Sequence, residues 1–135
     1  IRTQLVHGDC HLGNTLWAED KPFFLDFDDM YIGPLLIDLA LTLCLWCAIG
    51  SEFNFDYAKE FLIVYQTQRE MLLTDDEWNF LEIFCYLTIL NQILFVIETD
   101  YCARPMRTMI NELLLPIEYI AKEGNLFFEK VRQIK

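Results

Sequence analysis

Apolar and polar residues alternate at short range in the first third of the chain and at helical range in the rest. Leu5-Val6 is a brief apolar entry to a polar loop that opens at His7. Two short runs follow, Thr15-Leu16-Trp17 and Phe23 to Phe27, joined by Ala18 to Pro22. Asp20, Lys21 and Pro22 supply turn chemistry in that link, so the segment is expected to form a β-hairpin. After Gly33-Pro34 the period lengthens. Leu35 to Ile49 reads as a helix that stops at Gly50, and Asp56 to Met71 as an amphipathic helix with Tyr57, Phe61, Val64, Tyr65 and Gln68 along one side. Thr74-Asp75-Asp76-Glu77 has the form of a capping box and opens a long helix from about Asp75 to Thr99. Pro105 precedes a further helix with a stripe of Met106, Met109, Ile110, Leu113, Leu114 and Ile117. Pro116 should kink that helix and Gly124 should end it, leaving Leu126 to Ile134 as a last short helix. The pattern predicts an α+β, mostly helical domain over 1–135. Its loop-and-hairpin unit spans 5–34 and its helical bundle 35–135.

Composition narrows the function classes. The 135 residues are 54% hydrophobic and carry a formal net charge of −11. Such a chain can bury a core, and its acidity argues against holding nucleic acid through phosphate neutralisation. Cys10, Cys44, Cys47, Cys85 and Cys102 are odd in number and loosely spaced, unlike a disulfide framework. Cys44 and Cys47 lie inside an apolar helix and read as buried core thiols rather than a redox pair. A reducing cytoplasm is the simplest compartment. Leu35 to Ile49 and Ile83 to Ile97 are apolar, the second interrupted by Thr88, Asn91 and Gln92. Both fall short of the roughly 20 apolar residues of a membrane span, so buried helices are expected and no membrane partner. The chain opens Ile1-Arg2-Thr3 without Met, as a piece of a longer protein would.

Candidate chemistry concentrates in His7-Gly8-Asp9-Cys10-His11-Leu12-Gly13-Asn14 and in Phe23-Phe24-Leu25-Asp26-Phe27-Asp28-Asp29. An Asp and an Asn five positions apart on one loop, followed by an Asp brought back by a hairpin, suit phosphoryl transfer. Asp9 can orient an attacking hydroxyl and accept its proton. Asn14 and Asp26 offer oxygens to Mg²⁺, which takes few protein ligands beside substrate phosphates. Strand alternation would set Asp28 on the same face as Asp26, where it could assist the metal or hold a basic side chain. His7 and Gly8 read as loop support. Asp38, within Leu35-Leu36-Ile37-Asp38-Leu39-Ala40, needs a partner if buried. Loop N–H groups are one candidate partner; capping its own helix is the other. A zinc cluster of His7, Asp9, Cys10 and His11 is disfavoured, because the ligands crowd together and no second ligand pair follows.

These motifs resemble the aminoglycoside phosphotransferase and choline kinase superfamily, which shares the protein-kinase fold. The H-G-D-x-x-x-x-N loop falls on His7, Gly8, Asp9 and Asn14, the later aspartate motif on Leu25-Asp26-Phe27, and a D-L-A segment on Asp38-Leu39-Ala40. Within it, His7 to His11, Gly13-Asn14, Leu16-Trp17, Asp26 to Asp29 and Gly33-Pro34 look most like the bacterial stress-response Ser/Thr kinases. The likeness covers about residues 5 to 45. It implies a kinase-like C-terminal lobe, with Mg²⁺ and ATP as cofactors and a hydroxyl acceptor on protein Ser/Thr. Small alcohols or amino alcohols are the alternative acceptor. His11 stands two after Asp9, where many kinases of this fold place a Lys, so it could face the transferring phosphoryl group. Neither a Gly-rich phosphate loop nor its Lys is present in these residues. An N-terminal lobe is therefore an expected partner, and the chain alone is expected to be inactive and to self-associate, or to act as a non-catalytic binding module.

Overall fold

The computed structural model describes residues 1–49, 52–99 and 105–134. The expected turn at Gly50 and the fifth cysteine, Cys102, lie outside them. In chain order the elements are β1 (Thr3–Val6), β2 (Thr15–Ala18), β3 (Lys21–Phe24), β4 (Tyr31–Pro34), α1 (Leu36–Trp46), β5 (Ala48–Ile49), β6 (Glu52–Phe53), α2 (Phe55–Gln68), α3 (Asp75–Thr99) and α4 (Met106–Arg132). A single 3₁₀ turn, Leu12–Asn14, leads into β2. Among the described residues the fold is mostly helical α+β, with three two-stranded antiparallel ribbons.

The expected hairpin forms, in a shorter version. β2 pairs with β3 from Thr15↔Phe24 to Ala18↔Lys21. Its turn residues Glu19 and Asp20 have φ of 50° and 62°, the pair of left-handed residues that lets a two-residue turn follow strand twist. The second strand stops at Phe24 instead of running on to Phe27, because Asp26 takes a φ of 58°. Asp28 and Asp29 then sit in a turn closed by the Met30 N–H on the Phe27 carbonyl at 3.2 Å. The period-two pairing of Asp26 with Asp28 is thus lost. β4 was not foreseen: it pairs with β1, Val6 opposite Tyr31 and Thr3 opposite Pro34.

α1 buries Leu36, Leu39, Ala40, Leu43 and Cys44, a helical stripe that forms the floor of the core with Leu62 of α2, Leu81, Cys85 and Ile89 of α3, and Ile120 and Val131 of α4. It ends at Trp46 rather than Ile49, since Ala48–Ile49 turn into a ribbon with Glu52–Phe53. On α2 the buried side is Ala58, Leu62 and Gln66. Tyr57 and Val64, expected on the apolar stripe, are exposed. α4 corrects the sequence reading most: it runs unbroken past Pro116 and Gly124 to Arg132. Gly124 has no left-handed φ. It is buried, and a Cβ there would stand 3.0 Å from Ile120 Cγ2, so close packing and not chain reversal accounts for it.

The capping box is built: Thr74 N–H donates to Glu77 Oε2 at 2.8 Å and Glu77 N–H to Thr74 Oγ1 at 3.2 Å. Glu77 is fully buried. It also accepts from the Arg2 backbone N–H at 3.0 Å and from Arg2 Nε at 2.8 Å, and pairs with Arg2 Nη2. Chiefly through that Arg2 contact its carboxyl falls to about 2. This bond staples the strand that feeds the His7 loop to the start of α3. At 25 residues, α3 is long and apolar enough by length and composition to cross a membrane. Here one side of it, including Trp78, Leu81, Cys85 and Ile89, is buried in the domain core. Its other side carries Phe80, Ile83, Leu87, Leu90, Leu94 and Ile97, three and four residues apart and about half exposed.

Candidate active site

One helix clamps the His7 loop at both of its ends. From the first turn of α1, Asp38 accepts the His7 N–H at 2.8 Å and the Gly8 N–H at 3.0 Å. Its carboxylate is thus spent on the loop. From the last turn, Trp46 Nε1 donates to the Cys10 carbonyl at 3.2 Å. The loop also packs tightly on the turn before β4: Gly8 adopts a φ of +82°, and a Cβ there would lie 2.7 Å from the Asp29 carbonyl oxygen. Any other residue would meet both backbone strain and a clash.

The His7 ring ties the loop to the hairpin. Its Nε2 donates to the Leu25 carbonyl at 2.9 Å, and the ring packs on Phe27 at 4.9 Å. The Leu25 N–H in turn donates to the Asn14 carbonyl at 2.8 Å. Both backbone polar groups of Leu25 are therefore held by the loop, and Asp26 follows it directly in the chain. Asp26 is exposed, as is Asp28 two residues on in the turn.

Asp9 is held unevenly. Asn14 Nδ2 donates to its Oδ2 at 2.8 Å and to its carbonyl at 3.1 Å. His11 Nε2 stands 3.3 Å from the same Oδ2. The other oxygen, Oδ1, has a single long contact, with Gln92 Nε2 at 3.4 Å. Its hydrogen bonding therefore leaves Oδ1 the more available to a new donor. His11 Nδ1 accepts the Gly13 N–H at 2.9 Å, which turns Nε2 toward Asp9. With Asn14 Nδ2 committed to Asp9, its amide Oδ1 is the atom left for a cation.

Two open clefts border the loop. One, of about 540 Å³, is lined by Gly8, Asp29, Tyr31, Leu87, Asn91 and Gln92 among others. The second, of about 610 Å³, includes His11, Gly13, Gln92, Val96 and Glu112. Gln92 borders both. Trp46 and Gln92 escaped the sequence reading. The signal for Gln92 was its polarity inside an apolar helix; for Trp46, a ring with a polar tip at a helix end. The four described cysteines are buried free thiols. Burial pushes the Cys47 thiol up to about 12 and raises that of Cys10. The neighbouring Cys85 and burial raise that of Cys44.

Stress response kinase A of Salmonella choleraesuis (strain SC-B67) is 51% identical over 41 residues, 30% of this chain and 12% of the relative. The Serine/threonine protein kinase RdoA of Salmonella typhimurium (strain LT2) matches to the same extent. Stress response kinase A of Escherichia coli (strain K12) is 53% identical over 38 residues, 28% of this chain and 11% of the relative. The matched stretch thus spans about an eighth of these longer proteins. No solved structure gives a significant match. Residues 1–73, just over half of the chain, match the phosphotransferase enzyme family known as APH. By that match the chain belongs to the phosphotransferase enzyme family.

Proposed function

We propose that this chain is the C-terminal lobe of an ATP-dependent kinase that phosphorylates a hydroxyl, with protein Ser/Thr as acceptor. The observation that carries the reading is the uneven support of Asp9. One carboxylate oxygen is fixed by Asn14, and the other has only a long contact from Gln92, a residue that lines two clefts beside the loop. An acceptor O–H donating to Oδ1 would be aimed and relieved of its proton as its oxygen bonds the γ-phosphorus. The bond from that phosphorus to the bridging oxygen breaks, and the diphosphate leaves as part of ADP. Protein Ser/Thr follows from the printed name of one relative, RdoA. A small alcohol remains the alternative acceptor.

The donor set fits Mg²⁺. Asn14 Oδ1 and the Asp26 carboxylate are hard oxygens. No three His, Cys, Asp or Glu side chains gather as a metal-binding group among the described residues, so a cation here would need substrate phosphates and water as well, as Mg²⁺ prefers. Mg²⁺ would neutralise charge on the nucleotide phosphates. In the same reading His7 and Asp38 hold the loop in place. His11 stands beside Asp9, within reach of the phosphoryl group. Asp28 lies outside the metal pair.

Metal titration of the full-length protein tests the assignment. Asp26→Ala should weaken Mg²⁺-ATP binding at least 10-fold and Asp28→Ala less than 2-fold. The reverse order would move the metal site to Asp28.

A further inference from the structure

We infer that Gln92 is a positioning residue for Asp9, contributed by α3 from 83 residues further along the chain. The inference rests on the phosphotransferase reading above and extends it to a residue outside the loop and hairpin. The core-facing seam of α3 runs Leu81, Cys85, Thr88 and Val96, all buried. Gln92 occupies the same seam between Thr88 and Val96 and is half-buried. Helical packing asks for an apolar side chain there. An amide in that place loses water on folding and needs a partner.

The partner is Asp9. Gln92 Nε2 reaches its Oδ1 at 3.4 Å, while Asn14 holds Oδ2 and His11 Nε2 lies 3.3 Å from that same oxygen. Two hydrogen-bond donors from distant segments, Asn14 on Oδ2 and Gln92 on Oδ1, therefore fix the carboxylate plane. The Oδ1 contact is long enough to leave that oxygen usable and directed enough to limit its rotation. Thr88, by contrast, turns its hydroxyl back onto the Phe84 and Cys85 carbonyls of its own helix. Among the described residues, Gln92 alone of the three polar interruptions between Ile83 and Ile97 hydrogen-bonds the loop. It also lines both clefts beside the loop.

Two measurements test this, and they fail separately. In ¹H–¹⁵N spectra of the chain, Asp9→Asn should move the Gln92 side-chain amide pair and leave that of Gln66, which bonds Leu62, in place. An unmoved Gln92 amide overturns the contact whether or not Asp9 is the base. In the full-length protein, ADP release from Mg²⁺-ATP should fall about 10-fold in kcat for Gln92→Met, with KM for ATP unchanged. Gln92→Glu keeps the shape but aims a carboxylate at Asp9, and should fall further. Turnover within 2-fold of wild type in both variants, with folding intact by circular dichroism, would refute positioning. If Asp9→Asn itself retains full turnover, the base assignment fails while the spectral test still decides the contact.

Discussion

Replacing Glu77 by Gln keeps the volume of a fully buried side chain and removes the charge that Arg2 and the Thr74 N–H address. Holding a carboxyl from an ordinary 4.5 down to about 2 corresponds to roughly 3 kcal/mol of folding stability. The Arg2 side chain is 34% exposed, and solvent screening trims that toward about 2 kcal/mol. Against this, the Gln amide would set N–H groups against the donors of Arg2 and Thr74, and breaking one side of a buried pair costs about 3–5 kcal/mol. A net loss near 3 kcal/mol at pH 7 is expected. With a urea slope of about 2 kcal/mol per molar, the midpoint should drop by roughly 1.5 M. The sign with pH follows from a depressed carboxyl. The stabilisation is complete above the ordinary pKa of 4.5 and disappears as pH falls toward 2, with more than half gone by about pH 3. Urea titrations of wild type and Glu77→Gln at pH 7, 5 and 3 should therefore converge at the acid end. Midpoints within about 0.3 M of each other at pH 7, or an offset that is the same at pH 3, would refute the assignment of Glu77 as the charged staple between β1 and α3.

In a Cys102→Ser background, Ellman's reagent at pH 8 should leave Cys10, Cys44, Cys47 and Cys85 unmodified until guanidinium unfolds the chain, since all four are buried and the thiols of Cys10, Cys44 and Cys47 are pushed upward; a rapidly reacting native thiol would contradict that packing. Calorimetry of the 135-residue chain with Mg²⁺-ATP should show binding weaker than about 1 mM and no ADP release, because two protein oxygens hold nucleotide poorly without an opposing phosphate loop. Tight binding with turnover would show that the chain suffices by itself.

Sequence alone was most informative where a local rule has one geometric solution. The Thr74–Glu77 box fixed the start of α3, and the Ala18 to Pro22 link between Trp17 and Phe23 fixed the hairpin. It failed where a local signal had a tertiary cause. Gly124 reads as a stop, yet it is small because Ile120 and Phe128 crowd it. Phe23 to Asp28 reads as one strand, yet Leu25 is captured on both sides by the His7 loop and Asp26 turns left-handed. For the site, the residues of the loop and hairpin stood out by their spacing. Trp46 and Gln92 did not, because their relevance comes from contacts across 36 and 83 positions. The capping box hid the second role of Glu77 for the same reason: nothing near it in sequence announces Arg2.

The central claim is that Asp9 receives the acceptor proton. The direct measurement is ADP release and acceptor phosphorylation by the full-length protein carrying Asp9→Asn, alongside its affinity for Mg²⁺-ATP. Asn keeps the shape and the Asn14 neighbour but cannot take a proton. Turnover should fall by at least about 1,000-fold with nucleotide affinity changed less than 3-fold. Wild-type turnover in Asp9→Asn, or a loss explained entirely by weaker nucleotide binding, would contradict the account.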